Sequence, residues 1–245
     1  MNNSTKLLSI HIFCHIMIVP AILYGEWWMW GFSFLWWQWV AATSISSGYH
    51  RYFSHNSFKT GNWYSWYSQF IALFANPGPV LTWASTHRMH HYYSDTEKDP
   101  HSPVFKGFWK VYTSYWGNDI KYIERRATVG LLKRPGVKWF YKNYYKVIIL
   151  LAITLMIIDP LVFIFLMAIP IVLAFHGYGL INAWTHKTGK PTNSALANLL
   201  TGGEGWHENH HKRPGDWKIG KKWWQVDTGS YWIRLIKNEN NYKHN

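Results

Sequence analysis

The sequence predicts an all-α integral membrane protein with four transmembrane helices and a cytoplasmic helical cap that holds a histidine-ligated metal site. Three observations lead to this prediction. Long uncharged apolar segments alternate with basic ones, lysine and arginine avoid two short turns, and histidines cluster in three short motifs. The length of 245 residues suits a single domain, which we expect to cover residues 1–245.

The first two spans are predicted at residues 7–24 and 27–48, separated by a short turn at Gly25 and Glu26. The first run is 18 residues long and uncharged, which is sufficient to cross a bilayer. A signal peptide is the alternative, but only Lys6 precedes the run and a second apolar run follows at once. The tryptophans that open the second run are typical of a membrane interface.

Residues 63–83 are apolar but contain Pro77 and Pro79, which disfavour a continuous helix. We therefore predict a half-buried or interfacial segment here. Residues 101–146 are basic and aromatic. A helical layer on the lipid headgroups and a soluble helical cap both fit that composition.

The last two spans are predicted at residues 140–158 and 161–182. The intervening Asp159 and Pro160 indicate a tight turn between two helices. Two spans return the chain to the side of the membrane from which it entered, whereas a single long span would leave it on the opposite side. The histidines that follow then lie on the same side as those that precede.

The distribution of positive charge supports this topology. Of 25 lysines and arginines, 14 lie in residues 51–146, 10 lie in residues 187–245, and the last is Lys6. The positive-inside rule therefore places both termini, residues 50–139 and residues 186–245 in the cytoplasm. No motif indicates nucleic acid, so the net charge of +13 predicts contact with anionic membrane lipid or an anionic substrate.

Histidines at i, i+3 and i+4 share one face of a helix. Two motifs have this spacing and a third is a looser pair; their eight histidines are His207, His210 and His211, then His87, His90 and His91, then His50 and His55. Imidazole suits zinc, copper, iron and nickel. Eight imidazoles are too many for one ion and enough for two, and the single cysteine excludes a thiolate cluster.

Acidic residues accompany the motifs. Glu204 and Glu208 each precede a histidine by three residues, as in carboxylate-bridged di-iron bundles, but both lie in one segment and the spans lack the other glutamates required. We therefore expect these two residues and Asp95 to hold ligand imidazoles by the second ring nitrogen. Glu97 and Asp99 invite the same interpretation.

These motifs resemble those of the membrane-bound fatty acid desaturases, and most closely the delta-9 branch that acts on stearoyl-CoA or acyl-lipid. The resemblance extends from about residue 27 onward, and it is carried by GYHRYFSHNSFK (48–59), WASTHRMHHYYSDTEKDPHSP (83–103), NAWTH (182–186), GEGWHENHH (203–211) and WWQVDTGSYWIRL (223–235).

The resemblance implies a di-iron centre with a ninth histidine, His186, and with Asn182 holding a metal through water. The implied ligands are His50, His55, His87, His90, His91, His186, His207, His210 and His211. The other histidines receive structural roles. We expect His11 and His15 to form hydrogen bonds between helices, His176 to be a satisfied core residue, and His101 and His244 to lie at the surface.

The implied reaction removes two hydrogens from adjacent methylenes of an acyl chain and leaves a cis double bond, with O2 as co-substrate. Two iron ions carry the chemistry, because no side-chain acid or base can attack an unactivated C–H bond. The sequence contains no heme or cysteine cluster motif. We therefore expect electrons from a separate donor protein of the ferredoxin or cytochrome b5 type.

Four residues are candidates for substrate contact. In the delta-9 branch the acyl tunnel ends at the second span, where Gln38 and Ala42 share a helix face. Small Ala42 would let the methyl end pass and Gln38 would help to close the tunnel, although helix or lipid packing would explain both. Arg88 would meet either CoA phosphates or anionic lipid, and Trp83 precedes the second histidine motif.

Three alternatives remain at this point. A membrane di-iron hydroxylase of lipids or alkanes would use the same centre. A non-catalytic metal transporter would need polar ligands in mid-membrane, where the predicted spans offer few. An inactive homologue is disfavoured because all nine histidine positions are filled.

Overall fold

The computed structural model describes residues 2–114 and 119–238, and every regular element in these ranges is helical. The predicted all-α class is thus confirmed for the described residues. His244 lies outside them. The helices are α1 Asn3–Tyr24, α2 Trp27–Val40, α3 Trp63–Ile71, α4 Val80–Tyr93, α5 Pro103–Lys106, α6 Phe108–Ser114, α7 Val137–Ile158, α8 Pro160–Trp184, α9 Ala195–Thr201, α10 His207–Lys212 and α11 Thr228–Ile236.

Three of the described helices, α1, α7 and α8, are long and apolar enough to cross a membrane. The remaining expected span, residues 27–48, forms part of a helix that runs without a break from α2 into a π-helical segment, Ala41–Ser54. That helix is not one of the three that are long and apolar enough to cross a membrane. Its tryptophans score as polar on hydropathy scales, although the indole ring is largely apolar.

The π-helical segment is the most unusual element, because π-helices occur mostly as single turns. Its i→i+5 pattern is reinforced by side chains: the hydroxyl of Ser47 donates to the carbonyl of Ala42 at 2.6 Å, and that of Ser54 donates to Tyr49 at 2.8 Å. Every residue of the segment is buried. The pattern brings residues five apart over one another, which is the spacing of His50 and His55.

The segment expected to be half-buried is interrupted near its prolines. Helix α3 passes through a 3₁₀ turn, Ala72–Ala75, into Asn76, whose φ of 48° is left-handed, and α4 begins at Val80. One face of α3 is buried, and its tryptophans and Phe70 are exposed. In the predicted layer at residues 101–146, the described residues ahead of α7 form short helices and 3₁₀ turns.

Helix α8 is the central element of the bundle. Of its most apolar 18-residue window, 72% is buried, against 22% for α1 and 17% for α7. The indole of Trp36 donates to the carbonyl of Leu166 in α8 at 2.9 Å. The Nε2 atoms of His15 and His176 lie 3.3 Å apart, so α1 and α8 share the interhelical hydrogen bond that the sequence predicted for His15.

Gly48 marks the closest approach between the π-helical segment and α3. A Cβ at this position would lie 2.6 Å from the Cβ of Ser68, whereas at Gly31, in α2, it would meet nothing within 4 Å. We expect Gly48→Ala to destabilise the protein by about 1–3 kcal/mol through overpacking. Gly31→Ala should be neutral or stabilising by up to about 1 kcal/mol, because alanine favours helix.

Thermal unfolding of the two variants in detergent checks this prediction. Equal shifts in the midpoint temperature would contradict the tight contact at Gly48.

Candidate metal centre

Nine imidazoles from four parts of the chain converge in two adjacent groups. Within each group the potential ligand atoms all lie within 4.8 Å of one another. The first, the five-histidine group, contains His50, His55, His87, His91 and His210; the second, the four-histidine group, contains His90, His186, His207 and His211. These are the nine histidines that the sequence singled out.

Helix geometry explains how each motif serves both groups. In α4, His87 and His91 are four apart and enter the five-histidine group, while His90 enters the other. Helix α10 does the reverse, since it sends His210 to the first group and its remaining two histidines to the second. The i, i+4 pair shares a face, and the i+3 residue is rotated away from it.

The remaining ligands depend on π-helical turns. His50 and His55 are joined by an i→i+5 backbone hydrogen bond of 3.2 Å, and their ring centroids lie 4.9 Å apart. His186 follows a second π-helical turn, Leu180–Trp184, at the end of α8. A motif spaced at five residues would point to different faces of an ordinary α-helix. The π-helical turn removes that difference.

The ring nitrogens have the separation of ligands around a common ion. In the five-histidine group, the Nε2 atoms of His50 and His210 lie 2.9 Å apart. In the four-histidine group, those of His186 and His207 lie 3.0 Å apart. Ligands about 2.1 Å from a metal and at right angles to one another would be about 3.0 Å apart. The spacing therefore fits one ion in each group.

Carboxylates fix the orientation of three imidazoles from the far side of the ring. His90 Nδ1 lies 2.9 Å from Asp99, and His186 Nδ1 lies 3.0 Å from Asp95. Glu204 lies against Nδ1 of His50. An ionised carboxylate only accepts, so Nδ1 of each ring carries a proton, and Nε2 of a neutral ring presents a lone pair to the group. Several such lone pairs in contact repel one another unless a cation lies between them.

Burial favours the neutral imidazole at several of these positions, and the neutral imidazole is the form that binds metal. Desolvation, aided by neighbouring histidines, holds the pKa values of His87, His207 and His210 well below 6.5. The same causes lower the pKa of His91 to about 3. Burial alone would raise the pKa of Glu204, but His50 and Arg51 outweigh it and lower that pKa to about 2. Glu204 is therefore an ionised acceptor at neutral pH.

Two sequence-based expectations near the site are wrong. Glu208 does not support an imidazole, because it is exposed and forms an ion pair with Lys212 at 2.5 Å. His101 is not a surface residue: it is 3% exposed, and its ring lies 4.3 Å from that of His90. The Asp-Pro-His sequence at residues 99–101, shortly after the second motif, was the sequence feature that could have indicated a place for His101 at the site. Asp99 from that run does support His90, as expected, whereas Glu97 is exposed.

Asn182 is buried one helical turn before His186, and its amide donates to the carbonyl of Tyr178 at 3.1 Å. Arg88 makes four hydrogen bonds, all to backbone carbonyls. They join it to Phe53, Ser54, Ala127 and Val129 at 2.7–3.1 Å. The arginine thus ties α4 to the π-helical segment, and the expected contact with phosphates stays a prediction.

The other expected substrate contacts lie on two sides of the site. The ring of Trp83 stacks on that of His87 with centroids 5.4 Å apart and planes 14° apart. Gln38 donates to the carbonyl of Leu199 at 2.7 Å and lines a cavity of about 470 Å³. Ala42 is buried one turn further along the same helix.

Comparisons with known proteins agree with one another. Residues 25–234 match the family described as fatty acid desaturase. The chain is 35% identical to an acyl-CoA C20 delta-5 desaturase of Anemone leveillei over 81% of this chain and 67% of that protein. It is 33% identical to delta-9 acyl-lipid desaturase 2 of Arabidopsis thaliana over 91% of this chain and 76% of that protein. It is 29% identical to an sn-1 stearoyl-lipid 9-desaturase of Anabaena variabilis over 96% of this chain and 89% of that protein.

We expect Asp95→Asn to weaken metal binding by about 10–100-fold, because the imidazole of His186 loses the carboxylate that orients it. Glu97→Gln is the matched control: it removes a carboxylate two residues away that is exposed and should leave the affinity unchanged. Titration of the purified, metal-free variants with ferrous iron measures both affinities. Equal affinities would contradict the orienting role of Asp95.

Proposed function

The chain belongs to the fatty acid desaturase family, and we propose that it uses a di-iron centre and O2 to insert a cis double bond at the delta-9 position. Its activity as a fatty acyl desaturase follows from the family. The observation that supports the iron centre is the convergence of nine histidines in two groups of ligand spacing.

Two iron ions, held by the five-histidine and four-histidine groups, would supply the O2 activation needed to attack an unactivated C–H bond. The protein's own side chains would orient the ligand imidazoles and exclude solvent. Asp95, Asp99 and Glu204 hold the imidazoles with Nε2 inward. Asn182 is placed to hold a metal through water. Trp83, stacked on His87, covers one side of the five-histidine group and would limit the access of solvent.

The names of the relatives support the proposed position of the double bond. Two of the three relatives described above are named for position 9 and for lipid-bound acyl chains, and one is named for acyl-CoA and position 5. We accordingly propose delta-9 chemistry on a saturated acyl chain carried by CoA or by a membrane lipid.

We also propose one desaturase domain over residues 1–245 with four spans. Helices α1, α7 and α8 provide three spans, and the helix that runs from Trp27 to Ser54 provides the fourth. The positive charges then lie on the cytoplasmic side together with both termini and all nine histidines.

A separate ferredoxin-type or cytochrome b5-type protein would supply the electrons. His91 and His211 are partly exposed members of the two groups, and their rings stack with centroids 4.4 Å apart. Exposed Lys212 and Arg213 follow directly in the chain. An acidic donor would therefore meet positive charge where the centre is nearest to solvent.

Expression in a desaturase-deficient host, with double bonds located by mass spectrometry, tests the activity. We expect a new cis double bond at carbon 9, and we expect His207→Ala to abolish it because a ligand of the four-histidine group is lost. Gly31→Ala, far from any side chain, is the matched control. A product that gained an oxygen would indicate a hydroxylase, and unchanged lipids would contradict the proposal.

We expect Ala42→Trp to shift the products toward shorter acyl chains, because the larger side chain would occupy the predicted end of the tunnel. Leu35→Trp is the control, since Leu35 is 69% exposed in the same helix. Chain lengths of the unsaturated products measure the shift. Identical profiles for the two variants would show that Ala42 does not limit chain length.

A further inference from the structure

We infer that the buried ion pair Arg51–Asp227 positions His50 and so controls metal binding at the five-histidine group but not at the four-histidine group. The inference rests on the proposed metal centre. It assigns a task to the segment near the C-terminal end of the described chain, which contributes no ligand to either group.

Four side chains connect that segment to the metal centre. Arg51 donates to both oxygens of Asp227, at 2.8 and 3.2 Å, and to one oxygen of Glu204 at 3.1 Å. The other oxygen of Glu204 lies against Nδ1 of His50. Arg51 is therefore linked to the ring of His50 through a single carboxylate, whose Arg51-facing oxygen also accepts a hydrogen bond from the hydroxyl of Ser46.

Asp227 is itself fixed by the backbone. Its carboxylate accepts hydrogen bonds from the amides of Ile219 at 2.8 Å and Ser230 at 3.0 Å, the latter as the N-cap of α11. Arg51 also donates to the carbonyl of Trp217 at 2.7 Å. The residues around Asp227 thus form a rigid cradle for the guanidinium group.

The packing around the cradle holds the guanidinium and carboxylate groups in one arrangement. Gly203 has a φ of +120°, and a Cβ there would lie 2.3 Å from Oδ1 of Asp227. A Cβ at Gly229 would lie 2.5 Å from Oγ of Ser46 and 3.3 Å from Cζ of Arg51. Both glycines therefore allow backbone to pack directly on the charged groups, and this contact defines the position of Arg51.

Burial makes the pair indispensable to the geometry. Arg51 and Asp227 are each 1% exposed. A buried charge that loses its partner is strongly destabilised, so the remaining groups rearrange to compensate. Without the charge of Asp227, the hydrogen bonds of Arg51 shift toward Glu204, and the guanidinium group competes with His50 for that carboxylate.

The four-histidine group is supported independently. Its carboxylates, Asp95 and Asp99, bond to His186 and His90. Asp99 also accepts hydrogen bonds from the backbone amides of Asp95 and His101, in the loop after α4. Among the described residues, the hydrogen bonds and ion pairs of these two aspartates do not involve Arg51 or Asp227. The carboxylates that orient the two groups are therefore supported separately, although α4 and α10 supply ligands to both.

The test is iron stoichiometry in the purified full-length protein after anaerobic loading with ferrous iron. Asp227→Asn keeps the shape of the side chain and removes its charge. We expect bound iron to fall from about two ions to about one per chain, with the spectroscopic signature of a magnetically coupled pair replaced by that of an isolated ion. His50→Ala should give the same result.

Asp216→Asn is the matched control, because Asp216 forms an exposed ion pair with Lys221 in the same segment; it should retain both ions. Arg51→Lys keeps the charge and should retain more iron than Arg51→Gln. Retention of both ions in Asp227→Asn, or loss of both together, would overturn the inference. Wild-type protein that binds two ions yet leaves acyl chains saturated would contradict the proposed function and not this inference.

Discussion

Nine imidazoles whose ring nitrogens converge in two groups impose the main constraint on this structure. Nitrogen lone pairs about 3 Å apart repel one another. Protonation would relieve the repulsion, but burial opposes it, as the low pKa values of His87 and His207 show. A cation in each group is the arrangement that satisfies all of these nitrogens at once. The architecture serves to hold that arrangement in place.

The fold meets this constraint by combining two helical periodicities. Helices α4 and α10 divide their histidines between the groups because residues at i+3 and i+4 diverge slightly around an α-helix. The π-helical segment from Ala41 to Ser54 aligns His50 with His55 because its hydrogen bonds span five residues. Uninterrupted α-helix in this segment would turn one of the two rings away. A departure from regular helix thus coincides with the functional site.

Charge is buried where it orients a ligand and is exposed elsewhere. Asp95, Asp99 and Glu204 each hold one ligand ring, and Glu204 is in turn held by Arg51. Each buried charge therefore has a partner, as its desolvation requires. Glu208, one residue beyond a ligand, is in contrast paired with Lys212 at the surface. Metal binding at the proposed centre would therefore be coupled to folding, since the same contacts would serve both.

The sequence by itself determined the helical class, the long apolar segments and the eight motif histidines, because hydropathy and residue spacing are local properties of a chain. The ninth histidine, His186, was indicated by the resemblance to the fatty acid desaturases. The sequence did not determine the division into groups of five and four, since that depends on which helix faces which. Two misjudged residues illustrate the limit: Glu208 pairs with Lys212, and His101 packs on His90. In each case the side chain type permitted both roles. The neighbours supplied by tertiary packing decided between them, because burial and partner geometry set the free energy of a polar group.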